Sequence, residues 1–331
     1  MKHRPLKRAA LGKGACFRYR SGMSLRARIV IGPTASGKSA ASFLLASRAS
    51  PPGAILSADA MAVYRGLDIG TAKPSAAERA RVRFFGLDLA SPDEPFSTGR
   101  YLAAVRAAKS ELASLPGPLW VVGGTGLYIH ALVNGFSPTV PEASPALRAE
   151  AETLLSREGL PGLSARVRAF PAARLGAFHD WENPRRVLRA YEILAAGGSL
   201  GDDSARRPRA VALSLPREVL KARIAARAEA MFATGLVEET AALLARGGLS
   251  ATAAGAIGYR EAAAVVRGEC SREDAVQETV RRTCRYAKRQ TTFFRHRFDA
   301  TWLALSGDET AEEVADKIAA SGATEEELEG L

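Results

Sequence analysis

The sequence predicts an α/β fold, in which a P-loop-type parallel sheet is covered by helices and carries an all-helical insertion and a helical C-terminal part. Short apolar runs bounded by Gly, Pro or Asp alternate with longer helical patterns, which is typical of a parallel sheet. A glycine-rich loop also stands between the first apolar run and the first helical pattern, where phosphate-binding loops occur. These two observations carry the prediction.

The loop fits the pattern G-x-x-x-x-G-K-[ST] and consists of Gly32, Pro33, Thr34, Ala35, Ser36, Gly37, Lys38 and Ser39. Its glycines let the backbone curl around an anion, and the N-terminus of the following helix attracts negative charge. Lys38 can place a positive charge on a terminal phosphate, and Ser39 can supply a hydroxyl ligand to Mg²⁺. The loop predicts that a polyphosphate binds, without naming which one.

Five apolar runs are predicted strands, and ligands of parallel sheets gather at the carboxyl ends of such strands. The second run leads to Asp59, and the fourth leads through a glycine pair to Thr125, so both residues should lie at one edge near the phosphate loop. An Asp after a strand is often only a helix cap, and the residues alone leave both interpretations of Asp59 open. The predicted strands cover residues 28–31, 53–57, 84–89, 119–123 and 210–215.

Proline residues punctuate residues 137–205, which predicts a small helical insertion between two strands of the sheet. One of its helices starts at Asn183-Pro184 and carries Arg185, Arg186 and Arg189 within one turn's reach. Arginines near a helix start oppose its dipole, so an anionic partner is favoured over an idle solvated face.

The last third is predicted to be helical. Residues 220–246 read as one or two helices broken near residues 234–235, and the turn 255–260 displays Tyr259 and Arg260. Residues 281–297 hold seven Lys or Arg and no acid. Helical spacing places five of these cations on one stripe, which favours a track for a phosphate backbone over a solvated face. The stripe consists of Arg281, Arg285, Lys288, Arg289 and Arg295, with Thr283, Ala287 and Phe294 on the opposite, core-facing side.

Composition is that of a globular protein of 331 residues with a formal net charge of +11. Residues 1–22 carry seven cations and no acid, so a chain starting at Met23 would have a net charge of +4. Overall charge therefore argues little about partners. The cysteines Cys16, Cys270 and Cys284 form no pattern typical of zinc or disulfides, and we expect a cytoplasmic protein without a membrane segment.

These features divide the chain into four parts. We expect a basic, disordered extension (1–27), a P-loop α/β core with C-terminal helices (28–136 and 206–300), a helical insertion (137–205) and a C-terminal tail (301–331). The acidic run 325–327 within the tail reads as a solvated helix.

Several further blocks accompany the phosphate loop in a fixed order. They are Asp59, Tyr64, Gly66 and the run 68–74 (D-I-G-T-A-K-P); residues 123–128 (G-G-T-G-L-Y); residues 186–190 (R-V-L-R-A); residues 258–260 (G-Y-R); and residues 287–295 (A-K-R-Q-T-T-F-F-R). In this combination the chain resembles the tRNA dimethylallyltransferases, also called tRNA isopentenyltransferases, from about Arg28 to Arg297. The positions that depart from the family's usual residues are Ala60, Ala62, Phe84, Phe85 and Asn183.

The resemblance implies transfer of a dimethylallyl group from dimethylallyl pyrophosphate to the N6 amine of the adenine 3′ of the anticodon, with Mg²⁺ as cofactor. Asp59 would accept the amine proton and Thr125 would be a second contact. We expect a monomer that binds the anticodon stem-loop of tRNA. The implied tRNA-binding residues are Asp59, Ala60, Met61, Ala62, Thr125, Arg148, Arg185, Arg186, Arg189, Gly258, Tyr259, Arg260, Lys288, Arg289, Gln290 and Arg295.

Two other classes use the same loop. A small-molecule kinase would explain the loop and an acceptor-site Asp, but not the basic C-terminal helix. An ATP-driven RNA-binding protein would need a strand that ends in a metal-bound Asp, and the run Val121-Val122-Gly123-Gly124 ends without an acid.

Overall fold

The computed structural model describes residues 24–135, 144–176, 178–200 and 205–331. Residues 1–23 of the predicted basic extension lie outside this part of the chain. The strands are β1 (Arg26–Ile31), β2 (Ala54–Ser57), β3 (Arg83–Phe85), β4 (Leu119–Gly123), β5 (Arg209–Ser214), β6 (Asp299–Ala304) and β7 (Glu325–Glu327). The helices are α1 (Lys38–Arg48), α2 (Ala76–Arg81), α3 (Thr98–Ala107), α4 (Lys109–Ala113), α5 (Gly126–Asn134), α6 (Pro145–Arg168), α7 (Ala172–Leu175), α8 (Pro184–Ala195), α9 (Arg217–Ala233), α10 (Leu236–Ala245), α11 (Ala251–Ala254), α12 (Tyr259–Val266), α13 (Arg272–Arg297) and α14 (Ala311–Ala320).

The sheet is parallel along the order β3-β2-β4-β1-β5-β6, which confirms the predicted α/β fold class. The central strands β1 and β4 carry almost uninterrupted apolar residues because helices cover both faces of the sheet. One face packs against α1 and α14 through Val30, Val122 and Ile318, and the other packs Ile29 and Val121 into the larger core. Both strands therefore end with their carboxyl edges aligned, at Ile31 and Gly123.

The third strand is shorter than predicted, since β3 ends at Phe85 rather than continuing to residue 89. Gly86 has φ +78°, and a side chain there would meet the carbonyl oxygen of Ser57 at 2.4 Å. The chain turns away at this close approach, and Asp88 also takes a left-handed φ of 56°. An apolar run alone does not reveal that turn.

The C-terminal part differs from the prediction. β6 extends the sheet beside β5, and β7 pairs antiparallel with β1. The interpretation of residues 325–327 as a solvated helix is wrong, because Glu326 points inward with only 1% of its side chain exposed and pairs with Arg206 and Arg209. Buried charge of this kind requires partners, and two arginines supply them.

The insertion is helical in its described residues, as predicted. Helix α6 is broken at Gly159, which has φ +68°, and packs against α8 around a small core of its own. That core includes Leu163, Val167, Val187 and Leu194. A separate core indicates that the insertion is held by its own packing, beside the sheet.

Residues 217–246 form two helices, α9 and α10, which break at Gly235 with φ +110° as predicted. Helix α13 packs against α9 and reaches the carboxyl edge of the sheet at its C-terminal half. Within the described residues, no helix is both long and apolar enough to cross a membrane.

Candidate active site

The phosphate loop connects β1 to α1 and has the backbone that such a loop requires. Gly37 takes φ +90° and Ala35 takes φ 63°, both left-handed, which aligns successive N–H groups into an anion-binding concavity. A left-handed non-glycine residue costs about 1–2 kcal/mol, so the turn at Ala35 is held by its surroundings. Lys38 begins α1 and donates from Nζ to the carbonyl of Pro33 at 3.2 Å.

Lys38 is electrostatically unusual. Burial lowers the pKa of its ammonium to about 8, while the negative charge of Asp59 opposes that shift and the positive charge of Arg227 adds to it. A group with this pKa is only partly charged in mildly alkaline solution. An anion bound in the loop would restore full protonation, because opposite charge favours the ammonium form.

Asp59 and Thr125 meet at the sheet edge, as predicted. The Thr125 hydroxyl accepts the backbone N–H of Ala60 at 2.9 Å, directly after Asp59. This approach needs glycine in the turn, because a side chain on Gly123 would meet the carbonyl of Ala58 at 2.1 Å. The arrangement places a hydroxyl and a carboxylate on adjoining turns, half-buried and within the field of Lys38.

One carboxylate oxygen of Asp59 has the capping role that the sequence left open. Oδ1 accepts the backbone N–H groups of Met61 at 2.8 Å and Ala62 at 3.2 Å. Within the described part of the chain, Oδ2 accepts no hydrogen bond. Asp59 thus fixes its own turn with one oxygen only.

Gln290 joins the two halves of this site. Its Oε1 accepts the Thr34 N–H at 2.9 Å, and its Nε2 donates to the Gly124 carbonyl at 2.9 Å. A side chain on Gly124 would meet Nε2 at 2.1 Å, which explains the second glycine of the pair. Gln290 was predicted to bind tRNA, but its side chain is buried and spans the phosphate loop and the Thr125 turn.

Two arginines on α9 complete the surroundings of the loop and were not singled out from the sequence. Arg223 lies beside Gly37, with Nη1 3.9 Å from the position of a side chain there, and Arg227 approaches the Thr34 hydroxyl at 3.5 Å. Burial lowers the pKa of Arg227, and Asp59 opposes the shift. Arg223 and Arg227 are four residues apart, a spacing that places both on one face of a helix. Arginines are so common in this chain that the sequence alone did not single out this pair.

Two cavities meet at Thr125. The α9–α13 cavity, of about 500 Å³, is lined by the phosphate loop, Asp59, α9 and α13. The insertion-side cavity, of about 1030 Å³, is lined by residues 124–127, the insertion and the C-terminal half of α13. Thr125, Tyr286 and Arg289 line both. Two reactants could therefore reach Thr125 through different cavities.

Tyr286 stands at the junction of the cavities. Burial and the charge of Asp59 raise the pKa of its hydroxyl to about 12, while hydrogen bonds to Thr125 and Gln290 partly offset that rise. The hydroxyl therefore stays neutral at physiological pH. Tyr286 was absent from the predicted site because an aromatic at helical spacing is ordinarily a core residue.

The predicted basic stripe of α13 is exposed. Arg281 pairs with Glu278 one turn earlier, a carboxylate outside the stretch that suggested an acid-free face. Arg289 also lies over the Tyr286 ring at 5.7 Å. The exposed stripe residues are Arg281, Arg285, Lys288, Arg289 and Arg295. Their contact with RNA stays a prediction.

The arginines of the insertion have partners within the protein. Arg148 and Arg189 both bind Glu192, whose side chain is 1% exposed, and Arg186 pairs with Asp180. Carboxylates of the protein thus already neutralise the charges of Arg148, Arg186 and Arg189. These charges therefore no longer favour an anionic partner. Asn183, a departure from the family pattern, caps α8 by accepting the N–H groups of Arg185 and Arg186.

Tyr259 is placed differently from the prediction that its turn displays an aromatic. The ring is fully buried, its hydroxyl accepts the Gly70 N–H at 3.1 Å and donates to Glu239 at 2.5 Å. A side chain on Gly70 would meet the ring at 2.4 Å. Tyr259 therefore supports the 68–74 loop from within, while Arg260 beside it is exposed.

Ser39 fits the hydroxyl ligand of a Mg²⁺ ion. It lies exposed in the first turn of α1, beside Lys38. The described residues contain no group of three or more His, Cys, Asp or Glu that could hold a metal by themselves. Mg²⁺ in such sites takes few protein ligands and keeps water and substrate phosphates, so one hydroxyl agrees with this donor set.

The fold and site define a P-loop α/β protein in which the phosphate loop and the carboxylate of Asp59 line one cavity. Residues 62–297 match the family model of IPP transferase, and the chain belongs to that family. It is 41% identical over 295 residues to a tRNA dimethylallyltransferase of Anaeromyxobacter dehalogenans, covering 87% of this chain and 97% of the relative. A second relative with the same description, from Myxococcus xanthus, is 42% identical over 289 residues, covering 83% and 91%.

A solved structure agrees with this assignment. The full-length tRNA isopentenylpyrophosphate transferase of Bacillus halodurans superimposes with a TM-score of 0.62 at 33% identity. The match covers 88% of this chain and 95% of that protein. The similarity therefore extends over the sheet, the insertion and the C-terminal helices together.

Proposed function

We propose that this protein transfers a dimethylallyl group from dimethylallyl pyrophosphate to the N6 amine of the adenine 3′ of the anticodon in tRNA. The observation that carries the proposal is that Asp59 lines the same cavity as the phosphate loop and adjoins Thr125, which also lines the insertion-side cavity. A donor diphosphate and an acceptor base can then meet at one carboxylate. The family's relatives, which carry the name tRNA dimethylallyltransferase, support the same reaction.

The loop end of the site stabilises the leaving group. As the carbon–oxygen bond breaks, negative charge builds on the diphosphate, and Lys38, Arg223 and Arg227 surround the loop that would hold it. Ser39 would hold Mg²⁺, which when bound neutralises phosphate oxygens. Gln290 keeps the loop at a fixed distance from the Thr125 turn, so the two reactants stay in line.

On the acceptor side of the site, the attacking N6 amine has to lose a proton. Asp59 would accept the N6 proton through Oδ2 as the new carbon–nitrogen bond forms, because Oδ1 is engaged by two backbone N–H groups. Thr125 and Tyr286 supply neutral polar groups beside it. The reaction needs no covalent intermediate on the protein.

The acceptor adenine must leave its stacked position to reach this carboxylate. The insertion-side cavity is large enough for a base, and its rim carries Lys288, Arg289 and Arg297. Phosphate contacts from such cations would position the anticodon stem-loop without reading its sequence. We propose that the protein acts as a monomer in the cytoplasm.

A labelling assay tests this function. Purified protein is incubated with unmodified tRNA and either labelled dimethylallyl pyrophosphate or labelled ATP. We expect the prenyl label in the RNA and none from ATP. Phosphate transfer to a small molecule would instead indicate a kinase, and RNA-stimulated ATP hydrolysis would indicate an ATP-dependent RNA-binding protein.

A further inference from the structure

The α9–α13 cavity is longer than a dimethylallyl group. We propose that this protein also accepts longer prenyl diphosphates, with geranyl diphosphate as the donor that the cavity fits. The proposal rests on the proposed function and concerns the length of the transferred chain. It follows from the distance between the phosphate loop and the far wall of the cavity, and from the apolar side chains between them.

Helix α9 runs along one side of the cavity, so the positions of its residues give this distance. Arg223 lies beside Gly37, and Arg227 lies beside Thr34. Met231 lines the cavity one turn beyond Arg227. With a rise of about 1.5 Å per residue, Met231 stands roughly 6 Å beyond Arg227 and about 12 Å beyond Arg223. The helix thus leads away from the phosphate loop along the length of the cavity.

Helix α13 runs along the other side of the cavity and gives a second value for the same distance. Gln290 is fixed to the phosphate loop, and Tyr286, Thr283 and Thr279 line the cavity at successive turns toward the helix start. Thr279 lies on the order of 16 Å from Gln290 along the helix axis, at about 1.5 Å per residue. The lining residues thus extend about 10 Å along α9, from Ile224 to Met231, and about 15 Å along α13, from Thr279 to Arg289.

One isoprene unit is short by comparison. Its four bonds of about 1.5 Å give an extended length of roughly 5 Å. A dimethylallyl group attached at the loop would end near Arg227 and leave the part beside Met231 without a ligand. A geranyl group adds a second unit of the same length, which would reach that part.

The α9 side of this further stretch is apolar, whereas the α13 side carries the hydroxyls of Thr279 and Thr283. Ala228 and Met231 come from α9, and Ala256 and Ile257 come from the turn before α12. Burying methylene groups against such side chains is favourable. The α9 side of the cavity is therefore chemically suited to hydrocarbon.

The cations of α13 that line the cavity are either paired or exposed. Arg282 binds Glu261 and also donates to the Gly255 carbonyl at 3.3 Å. Arg285 and Arg289 are exposed to solvent. A hydrocarbon chain along α9 would not have to displace the hydration of an unpaired buried charge.

The longer donor uses the same chemistry. The C1–O bond of geranyl diphosphate breaks and its electron pair leaves with the diphosphate. The N6 lone pair forms the new bond to C1, and the amine proton passes to Asp59. No further reactant is required.

The test compares donors on the full-length protein with unmodified tRNA. Dimethylallyl and geranyl diphosphates are supplied separately, and the nucleosides from the tRNA are identified by mass. We expect geranyl transfer with kcat/KM no more than about a hundredfold below that of dimethylallyl transfer. A larger deficit overturns the inference, whether or not geranyl diphosphate binds. Failure of both donors would instead overturn the proposed function.

Two variants test the assigned wall. Met231→Trp, one turn beyond Arg227, and Ala228→Phe, at the residue after Arg227, both fill the cavity, and each should lower the geranyl-to-dimethylallyl ratio of kcat/KM at least about tenfold. The matched control is Ala226→Phe, because Ala226 is exposed on the same helix. Since both donors are measured on the same sample, partial loss of folded protein cancels. A ratio that stays at the wild-type value in both cavity variants overturns the inference.

Discussion

Asp59 could hold a backbone turn and also act in the proposed reaction. Its two oxygens are unequal, because Oδ1 accepts two N–H groups, which leaves Oδ2 as the proposed proton acceptor. The functional and the capping interpretations that the sequence left open are therefore compatible. Substitutions can separate them.

Asp59→Asn keeps an oxygen for the turn and removes the proton acceptor. We expect prenyl transfer to fall by about 10²-fold or more, with the thermal midpoint nearly unchanged. Asp59→Ala removes both functions, so it should lose a comparable amount of activity and about 1 kcal/mol of stability as well. Single-turnover transfer rates and thermal unfolding measure the two effects. Turnover by Asp59→Asn near the wild-type rate would contradict the assigned role.

Lys38 makes diphosphate affinity depend on pH. Its pKa of about 8 in the free protein should rise when the anion binds, so binding takes up a proton near pH 8. The affinity is then full below the free-protein pKa and is lost as the pH rises through about 8 and above. Calorimetry of inorganic diphosphate in buffers of different ionisation enthalpy checks both statements. Lys38→Arg, which stays charged, should abolish the dependence and serves as the control.

At the scale of the element, a single turn of α13 carries side chains that point to solvent and a side chain that points into the site. Lys288 and Arg289 are exposed on the predicted RNA stripe, whereas Gln290 reaches the phosphate loop and Gly124. Neighbouring positions on a helix point in different directions, so one element can serve both reactants. Substitutions in this turn should therefore affect different substrates.

Gln290→Ala should act on the donor. It leaves the Thr34 N–H and the Gly124 carbonyl without their partner, and we expect KM for dimethylallyl pyrophosphate to rise about tenfold, the effect of a lost hydrogen bond near 1.4 kcal/mol. Steady-state kinetics with each substrate varied in turn provides the measurement.

Lys288→Ala should act on the RNA. Removing one phosphate contact should weaken tRNA binding and reduce the slope of log affinity against log salt by about one. The donor KM should not change. A salt slope equal to that of wild type would argue against the RNA stripe.

Helix α8 depends on a buried carboxylate. Glu192 accepts from Arg148 and Arg189 and is 1% exposed, although both arginines remain partly exposed. Glu192→Gln should destabilise the protein by about 1–2 kcal/mol, because charge-assisted hydrogen bonds become neutral ones. Denaturant unfolding measures the change, and Glu152→Gln, at an exposed position in α6, is the control.

For the whole molecule, the sequence predicted what local patterns encode. The apolar runs of β1, β2, β4 and β5 agree within a residue or two, and Asp59 and Thr125 meet because their motifs follow neighbouring strands. The strand β7 could not be predicted, since three consecutive glutamates have low strand propensity. Arg28, Arg206 and Arg209, which lie far away in the sequence, supply the charge partners that let this run pair with β1.

The missed site residues have a common physical reason. Arg223 and Arg227 approach the loop through the packing of α9, and Tyr286 through the packing of α13. Such contacts depend on how distant helices dock, which no local pattern records. The prediction for Tyr259 failed in the opposite way. Its turn motif suggested a displayed aromatic, but the ring is buried in the core.

Because Gln290 bridges to Thr34, no short fragment of this chain carries the whole site. The loop at Thr34 and the helix that steadies it are 256 positions apart. Two halves separated in the α9–α10 region would each lack a member of the constellation and should be silent until they reassociate. Catalysis could thus serve as a readout for the reassembly of a split gene.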